Sequence, residues 1–385
     1  MIAGKMFNGP SPGPAEERIL QGLLDWCREQ THCVSPRADT LFRCMNPEWI
    51  KRFALRDALL PWVREQTGLA TFYPDELDAA STPRSLARHL ARRVDTGAES
   101  PIRPPAIPFR TGRVRGNTAL VLNCPRSGST LLRCMLMGHD ALYAPPELHL
   151  IGFRSMRQWE RRLADSGQDW KTMGLVQTVA HLQGWNKWQA FHYVTHLTKR
   201  DVPVPEVYRL LHDLSPKPIL VDKSPSVAGH LQEIEETFEN PRYLYLTRHP
   251  YPVIESMMRN RLNPPFPEHT FARADQKWLE INRDIVGFLE KFPADRWHRL
   301  SFEDLMSKTE ETLCGITDFL GLPYLETMAD PYRGERLQEG IGCVNFGKRK
   351  SLEKDLGERW KHVRLPERPG KETEKLARCL GYSLP

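Results

Sequence analysis

The 385-residue chain has no CxxC pair, no uninterrupted apolar run near the ~20 residues that a bilayer-crossing helix needs, and no dense basic block. Each absence removes a class of protein. Its eight cysteines are scattered, at no zinc-like spacing with histidine, which excludes a disulfide framework and points to reduced, mostly buried thiols and no metal centre. His192 and His196 lie four apart on an expected helix, but no carboxylate accompanies them and Trp185, Trp188, Phe191 and Tyr193 surround them, so they too are read without a metal. The first fourteen residues carry no signal-peptide core, so a cytoplasmic protein with no membrane partner is expected. A formal charge of +6 without clustering suits an anionic small ligand or carrier better than duplex nucleic acid, and no nucleic-acid partner is expected.

What is present is a composition of 40% hydrophobic and 26% charged residues, ample for a large core. We expect a disordered start over 1–20, where GPSPGP resists order, then a helical segment over 21–99. A Pro-rich linker spans 100–117 (SPIRPPAIPFRTGRVRGN), because prolines this dense favour extended chain. From 118 to 385 short apolar runs alternate with longer amphipathic stretches. The runs are Ala119 to Leu122, Pro218 to Val221, Tyr243 to Thr247 and Trp297 to Leu300; helices are expected near 154–214, 225–238, 250–262, 270–292 and 307–320. Strands separated by helices imply a parallel sheet covered on both faces, with ligands bound at the carboxyl ends of its strands.

The first apolar run leads into Pro125, Arg126, Ser127, Gly128, Ser129 and Thr130, followed by a helical pattern. Small residues there let backbone N–H groups close on an anion, and the helix behind adds the positive end of its dipole. An ordinary strand-to-helix turn would also use Gly and Ser. A Walker loop would place Lys before the Ser or Thr, to reach the outer phosphates. Gly128 stands directly before Ser129 instead, and Arg126 is the nearby cation. A kinase is therefore the weaker reading, although Asp222 at the end of ILVD could serve as a Walker-B carboxylate. A third reading is a binding or docking protein whose phosphate loop no longer catalyses.

A second segment, YLYLTRHPYPVIESMMRNRL, runs from a strand through Arg248, His249 and Pro250 into a helix carrying Ser256. Arg248 at the strand end would point into the ligand crevice. It meets Ser256, eight residues on, only where strand end and second helical turn face one anion. The plainer alternative pairs Arg248 with a local carboxylate such as Glu255.

Together these segments resemble the sulfotransferases that use 3′-phosphoadenosine-5′-phosphosulfate, over about residues 117–385. VDKSP (Val221 to Pro225), SFEDL (Ser301 to Leu305) and NFGKRKSLEKDLGERW (Asn345 to Trp360) match further family segments in order. PRSGSTLLR, APPELHL, RHPYPVIES and LGERW look most like the sulfotransferases of polyketide and olefin synthases, which act on a β-hydroxyacyl chain held by a carrier protein. The resemblance implies an α/β fold, a P-loop sulfotransferase-like three-layer sandwich with a central parallel sheet. It places the 5′-phosphosulfate on Arg126, Ser127, Gly128, Ser129 and Thr130, and the 3′-phosphate on Arg248, Ser256, Lys348, Arg349 and Lys350. The donor is a co-substrate and no metal is expected. The partners implied are a hydroxyl-bearing acceptor and, with it, an acyl carrier protein.

Sulfuryl transfer is an in-line displacement in which the acceptor oxygen loses a proton while charge builds on the departing phosphate. Arg126 and Lys223 are placed to neutralise that phosphate, unless Lys223 is merely a solvated neighbour of Asp222. The general base is expected to be Glu147 of APPELHL, with Leu148 and Leu150 expected to raise its pKa by burial. His149 and His269 are rivals, His269 lying in NPPFPEHTF where a lid could close. The stretch 156–214 is expected to shape the acceptor pocket, with Trp185, Trp188, Phe191 and Tyr193 as an apolar wall. The segment from Phe53 to Arg93 resembles the second half of an acyl carrier protein; Glu48, Trp49 and Ile50 stand where the prosthetic-group serine would be, so a degenerate carrier-like module is expected, against a plain amphipathic helical cap.

Overall fold

The computed structural model describes residues 13–30, 59, 61–63, 65–68, 83–96, 112–259, 270–333 and 351–384. Contacts divide the chain into two compact units, residues 1–104 with 186–193, and residues 105–185 with 194–385.

In the first unit the helices Pro14–Gln30 and Pro83–Thr96 pack together. Apolar residues at helical spacing close the seam, Ile19, Leu23 and Trp26 on one helix and Leu86 and Leu90 on the other. Arg88 Nε reaches Glu16 Oε1 at 3.2 Å across it. Glu48, Trp49 and Ile50 and most of the carrier-like segment lie outside the described residues.

The second unit is built on a five-stranded, wholly parallel sheet of order β2-β3-β1-β4-β5. Its strands are β1 Asn117–Asn123, β2 Leu142–Tyr143, β3 Ile219–Asp222, β4 Arg242–Thr247 and β5 Trp297–Ser301. Every residue of β1 after Asn117 is buried, as expected of a central strand covered on both faces. On one face Val121, Leu244, Leu246 and Leu300 pack against Leu132, Leu136, Ile316 and Leu320 of the covering helices. Four of the strands are those the apolar runs predict. The two-residue β2 is too short to leave a pattern, yet it extends the sheet by pairing Leu142 with Ile219.

The helices depart from expectation in their breaks. The stretch 154–214 is four helices, Met156–Asp165, Met173–Gln183, Lys187–Lys199 and Val204–Leu214, with a 3-10 turn at Asp169–Thr172. Gly184, at φ 63°, ends one of them in the left-handed conformation that glycine accepts without strain. SFEDL runs from the end of β5 into a helix, Phe302–Ser307, capped by Ser301 Oγ, which accepts from Asp304 N at 2.9 Å. Residues 225–238 divide into a 3-10 turn, Pro225–Gly229, and a short helix, Leu231–Thr237. No described helix is long and apolar enough to cross a membrane.

Candidate active site

The carboxyl ends of β1 and β4 lie side by side, because the two strands pair through Asn123 and Leu246. From them the chain leaves into two loops that share one crevice. After β1, Arg126 takes a positive φ of 73° and Gly128 one of 92°. These left-handed residues wrap the backbone back onto the start of helix Ser129–Leu136, whose first turn no side chain caps. A helix start of this kind presents uncapped N–H groups and the positive dipole end to whatever lies in the loop. Gly128 is needed for space as well as for φ: a Cβ there would stand 2.3 Å from Phe302 Cδ2.

Phe302 also carries Arg248, whose guanidinium lies 4.0 Å from the ring centroid. Arg248 Nη1 donates to the Arg126 carbonyl at 3.0 Å, and Arg126 Nε donates to Ser256 Oγ at 2.9 Å. The two sequence segments thus meet through a relay, Arg248 to Arg126 to Ser256. Glu255, the alternative partner for Arg248, instead binds Arg259 and Arg359, each at 2.8 Å. Burial, with Arg359 and Arg126 adding, lowers the Arg248 pKa to about 10 against the pull of Glu303. Arg359 is a cation that neither motif singled out; its only sequence signal was its place in LGERW. Among the described residues, the buried atoms Ser127 Oγ and Arg248 Nε in this crevice find no hydrogen-bond partner. An unmade bond on a buried group is costly, and both would be met by an anion in the loop.

Toward the carboxyl end of β3 the site changes character. Lys223 is 1% exposed, which removes the reading of it as a solvated neighbour of Asp222. Its ammonium is bonded to Glu147 Oε1, while His149 Nε2 lies 3.3 Å from Glu147 Oε2. Ser224 Oγ pins the loop by accepting from Leu148 N and His149 N, both at 3.0 Å, and His149 Nδ1 meets Ser226 Oγ at 2.8 Å. Behind it, Trp159 Nε1 donates to the His149 carbonyl at 3.0 Å.

Glu147 corrects one expectation. Burial does push its carboxyl up, but Lys223 and His149 outweigh that and hold it well below the ordinary carboxylate range. The effect of Leu148 and Leu150 could be read from the sequence; the cation 76 residues away could not. Burial lowers His149, with Glu147 opposing, so its imidazole favours the neutral form. Lys171, from the 3-10 turn, is a second cation within electrostatic reach of Glu147; sequence patterns gave it no distinction.

Asp222 does not behave as a Walker-B carboxylate. It is fully buried, accepts from Tyr208 and from Ser224 Oγ at 2.6 Å, and its pKa is raised by burial. A carboxylate held by two protein donors is a structural anchor for the end of β3. Among the described residues no three His, Cys, Asp or Glu converge as a metal site. His269, Lys348, Arg349 and Lys350 lie outside the described residues, as does the Trp188 side chain.

The sequence matches the profile of the sulfotransferase family over residues 119–326. A sulfotransferase domain from the olefin synthase of Synechococcus PCC 7002 superposes with a TM-score of 0.66 at 33% identity, covering 73% of this chain and 99% of that one. A sulfotransferase domain from the curacin biosynthetic pathway gives 0.64 at 33% identity, covering 71% of this chain and 100% of that one. A Caenorhabditis briggsae protein carrying a protein-tyrosine sulfotransferase name is 26% identical over 210 residues, 53% of this chain and 65% of its own. Protein-tyrosine sulfotransferase A of Caenorhabditis elegans is 22% identical over 203 residues, 52% of this chain and 48% of its own. The chain thus spans about half to two thirds of the length of these curated relatives.

Proposed function

From the premise that this chain belongs to the sulfotransferase family, we propose that it moves a sulfuryl group from 3′-phosphoadenosine-5′-phosphosulfate to the hydroxyl of an aliphatic β-hydroxyacyl chain carried by an acyl carrier protein. The observation that carries the donor half is the crevice itself: an uncapped helix start, Ser127 Oγ and Arg248 Nε buried without partners among the described residues, and a Gly128 cradle that a Cβ would fill. The residues present fit a nucleotide with two separated anionic groups. Arg126, Ser127, Gly128, Ser129 and Thr130 would hold the 5′ end, and Arg248, Ser256 and Arg359 the 3′-phosphate, with Lys348, Arg349 and Lys350 assigned there by motif. The acceptor half is supported by likeness to domains from an olefin synthase and from curacin biosynthesis.

The bound donor supplies a sulfuryl group on a phosphosulfate anhydride, an activated leaving arrangement that needs no electron source. The acceptor oxygen forms the new S–O bond as the bridging S–O bond breaks, and the electron pair of that bond leaves on the 5′-phosphate. Arg126, Lys223 and the helix start offset the charge that develops there, each charge-assisted bond contributing on the order of 1.5–3 kcal/mol. The acceptor proton goes to a carboxylate oxygen of Glu147, which is ionised at neutral pH. Lys223 links the two events. Resting on Glu147 it depresses the carboxylate's basicity, and as negative charge grows on the departing phosphate its pull divides and Glu147 regains proton affinity. His149 and His269 remain the alternative bases.

Calorimetry with adenosine 3′,5′-bisphosphate tests the donor; absence of binding would sink the reading. Turnover of a carrier-bound β-hydroxyacyl substrate against free alcohols and a tyrosine peptide tests the acceptor, and preference for either of the latter would replace it.

A further inference from the structure

His249 follows the anion-facing Arg248, and Trp360 follows Arg359. The two rings stack face to face, centroids 4.7 Å apart and planes 14° from parallel. We propose that this stack, locked by Tyr382 and Ser383, sets the spacing of Arg248 and Arg359 and makes His249 and Trp360 positioning residues for recognition of the donor's 3′-phosphate. The inference rests on the donor reading above.

His249 is fixed from every side. Tyr251 N donates to its Nδ1 at 3.2 Å, so that nitrogen carries no proton, and Nε2–H donates to the Ser383 carbonyl at 3.0 Å. Its own backbone N–H donates to Glu303 Oε1 at 3.0 Å. Tyr251 and Tyr382 meet the ring edge-on, at 5.2 Å and 5.5 Å. Tyr382 is itself held by its hydroxyl, which donates to Thr247 Oγ1 at 2.8 Å at the end of β4. The imidazole is therefore a neutral spacer with both nitrogens used. Burial agrees, bringing its pKa down to about 4.

On the other face of the stack, Arg359 reaches Glu255, the neighbour of Ser256. Arg248, Arg126, Ser256, Glu255 and Arg359 form one continuous chain of contacts, and the stack closes it into a ring. Arg248 and Arg359 repel each other even with Glu303 and Glu255 beside them, so a fixed spacing between them needs a rigid support. The aromatic pair provides it while contributing no charge that would compete with a phosphate.

The test compares affinity for adenosine 3′,5′-bisphosphate and adenosine 5′-monophosphate by calorimetry. Trp360→Leu, at a half-buried site, is expected to lose about tenfold (about 1.4 kcal/mol) on the bisphosphate and less than about twofold on the monophosphate. Trp360→Phe, which keeps a ring, is expected to retain the wild-type ratio. Tyr382→Phe, removing only the hydroxyl, should show a smaller loss of the same sign, and it decides the matter where a thermal melt shows Trp360→Leu misfolded. An unchanged ratio in both variants, or equal losses on both nucleotides, overturns the inference. A wild-type protein with no preference for the bisphosphate overturns the donor reading instead.

Discussion

Replacing Glu147 by glutamine should separate its structural role from its chemical one. Glu147 neutralises a lysine that is 1% exposed, so the substitution leaves a buried ammonium facing an amide. Removing one partner of a buried pair costs about 3–5 kcal/mol, because the other charge is stranded. At roughly 2–4 °C per kcal/mol for a unit of this size, the melting temperature should fall by about 6–20 °C. A second substitution, Lys223→Met, removes the stranded charge, and the Glu147→Gln/Lys223→Met double variant should recover most of that loss. Turnover should behave otherwise: Glu147→Gln should lower kcat by about 10²- to 10⁴-fold, and the double variant should not recover it. Thermal melts and steady-state kinetics on the single and double variants complete the cycle. A Glu147→Gln protein as stable as wild type would refute the pairing argument, and one with wild-type kcat would move the base to a histidine.

Arg248→Ala should weaken binding of adenosine 3′,5′-bisphosphate by about ten- to a hundredfold, the loss of one or two charge-assisted bonds, with little effect on the 5′-monophosphate; equal losses in a titration would displace Arg248 from the 3′ subsite. Gly128→Ala forces a Cβ to within 2.3 Å of Phe302 at a φ of 92° and should abolish nucleotide binding; retained affinity would show that the loop can shift without consequence. His249 is held neutral, its pKa below the ordinary value, so the unfolded chain binds the extra proton. Its contribution to stability is full above pH 6.5 and should decline as pH falls from there to about 4. The difference in stability between wild type and His249→Gln should shrink across that window, and a constant difference in denaturant titrations would contradict it.

The sheet was legible because burial on both faces writes itself into the chain as short apolar runs such as the one in β1. The loop after β1 was legible for a related reason: Gly128, at a φ of 92° and with no room for a Cβ beside Phe302, stands in a run of small residues, although Arg126 shares its left-handed conformation. What pattern could not reach was pairing at a distance. Lys223 and Glu147 meet only because β3 lies beside β2, and the sign of Glu147's pKa shift follows from that meeting. Arg359 was hidden because its significance comes from Glu255 and Trp360, and the alternative reading of Asp222 as a Walker-B carboxylate fails on contacts with Tyr208 and Ser224 that no local pattern announces. Helix breaks inside 154–214 escaped for a local reason, since a single Gly184 ends a helix without disturbing the amphipathic pattern around it.

The placement of β1 has a consequence for how the protein is made. Its two neighbours, β3 and β4, are synthesised ~100 residues after it, so the strand that ends in the phosphate loop waits for both before it has a sheet to join. Arg248 and Lys223 arrive with those late strands. On the proposed assignment a nucleotide can grip only a chain whose middle is already assembled, and its presence should favour completed molecules over partly folded ones by mass action. Donor supply would then govern how much active protein accumulates as well as how fast each molecule turns over.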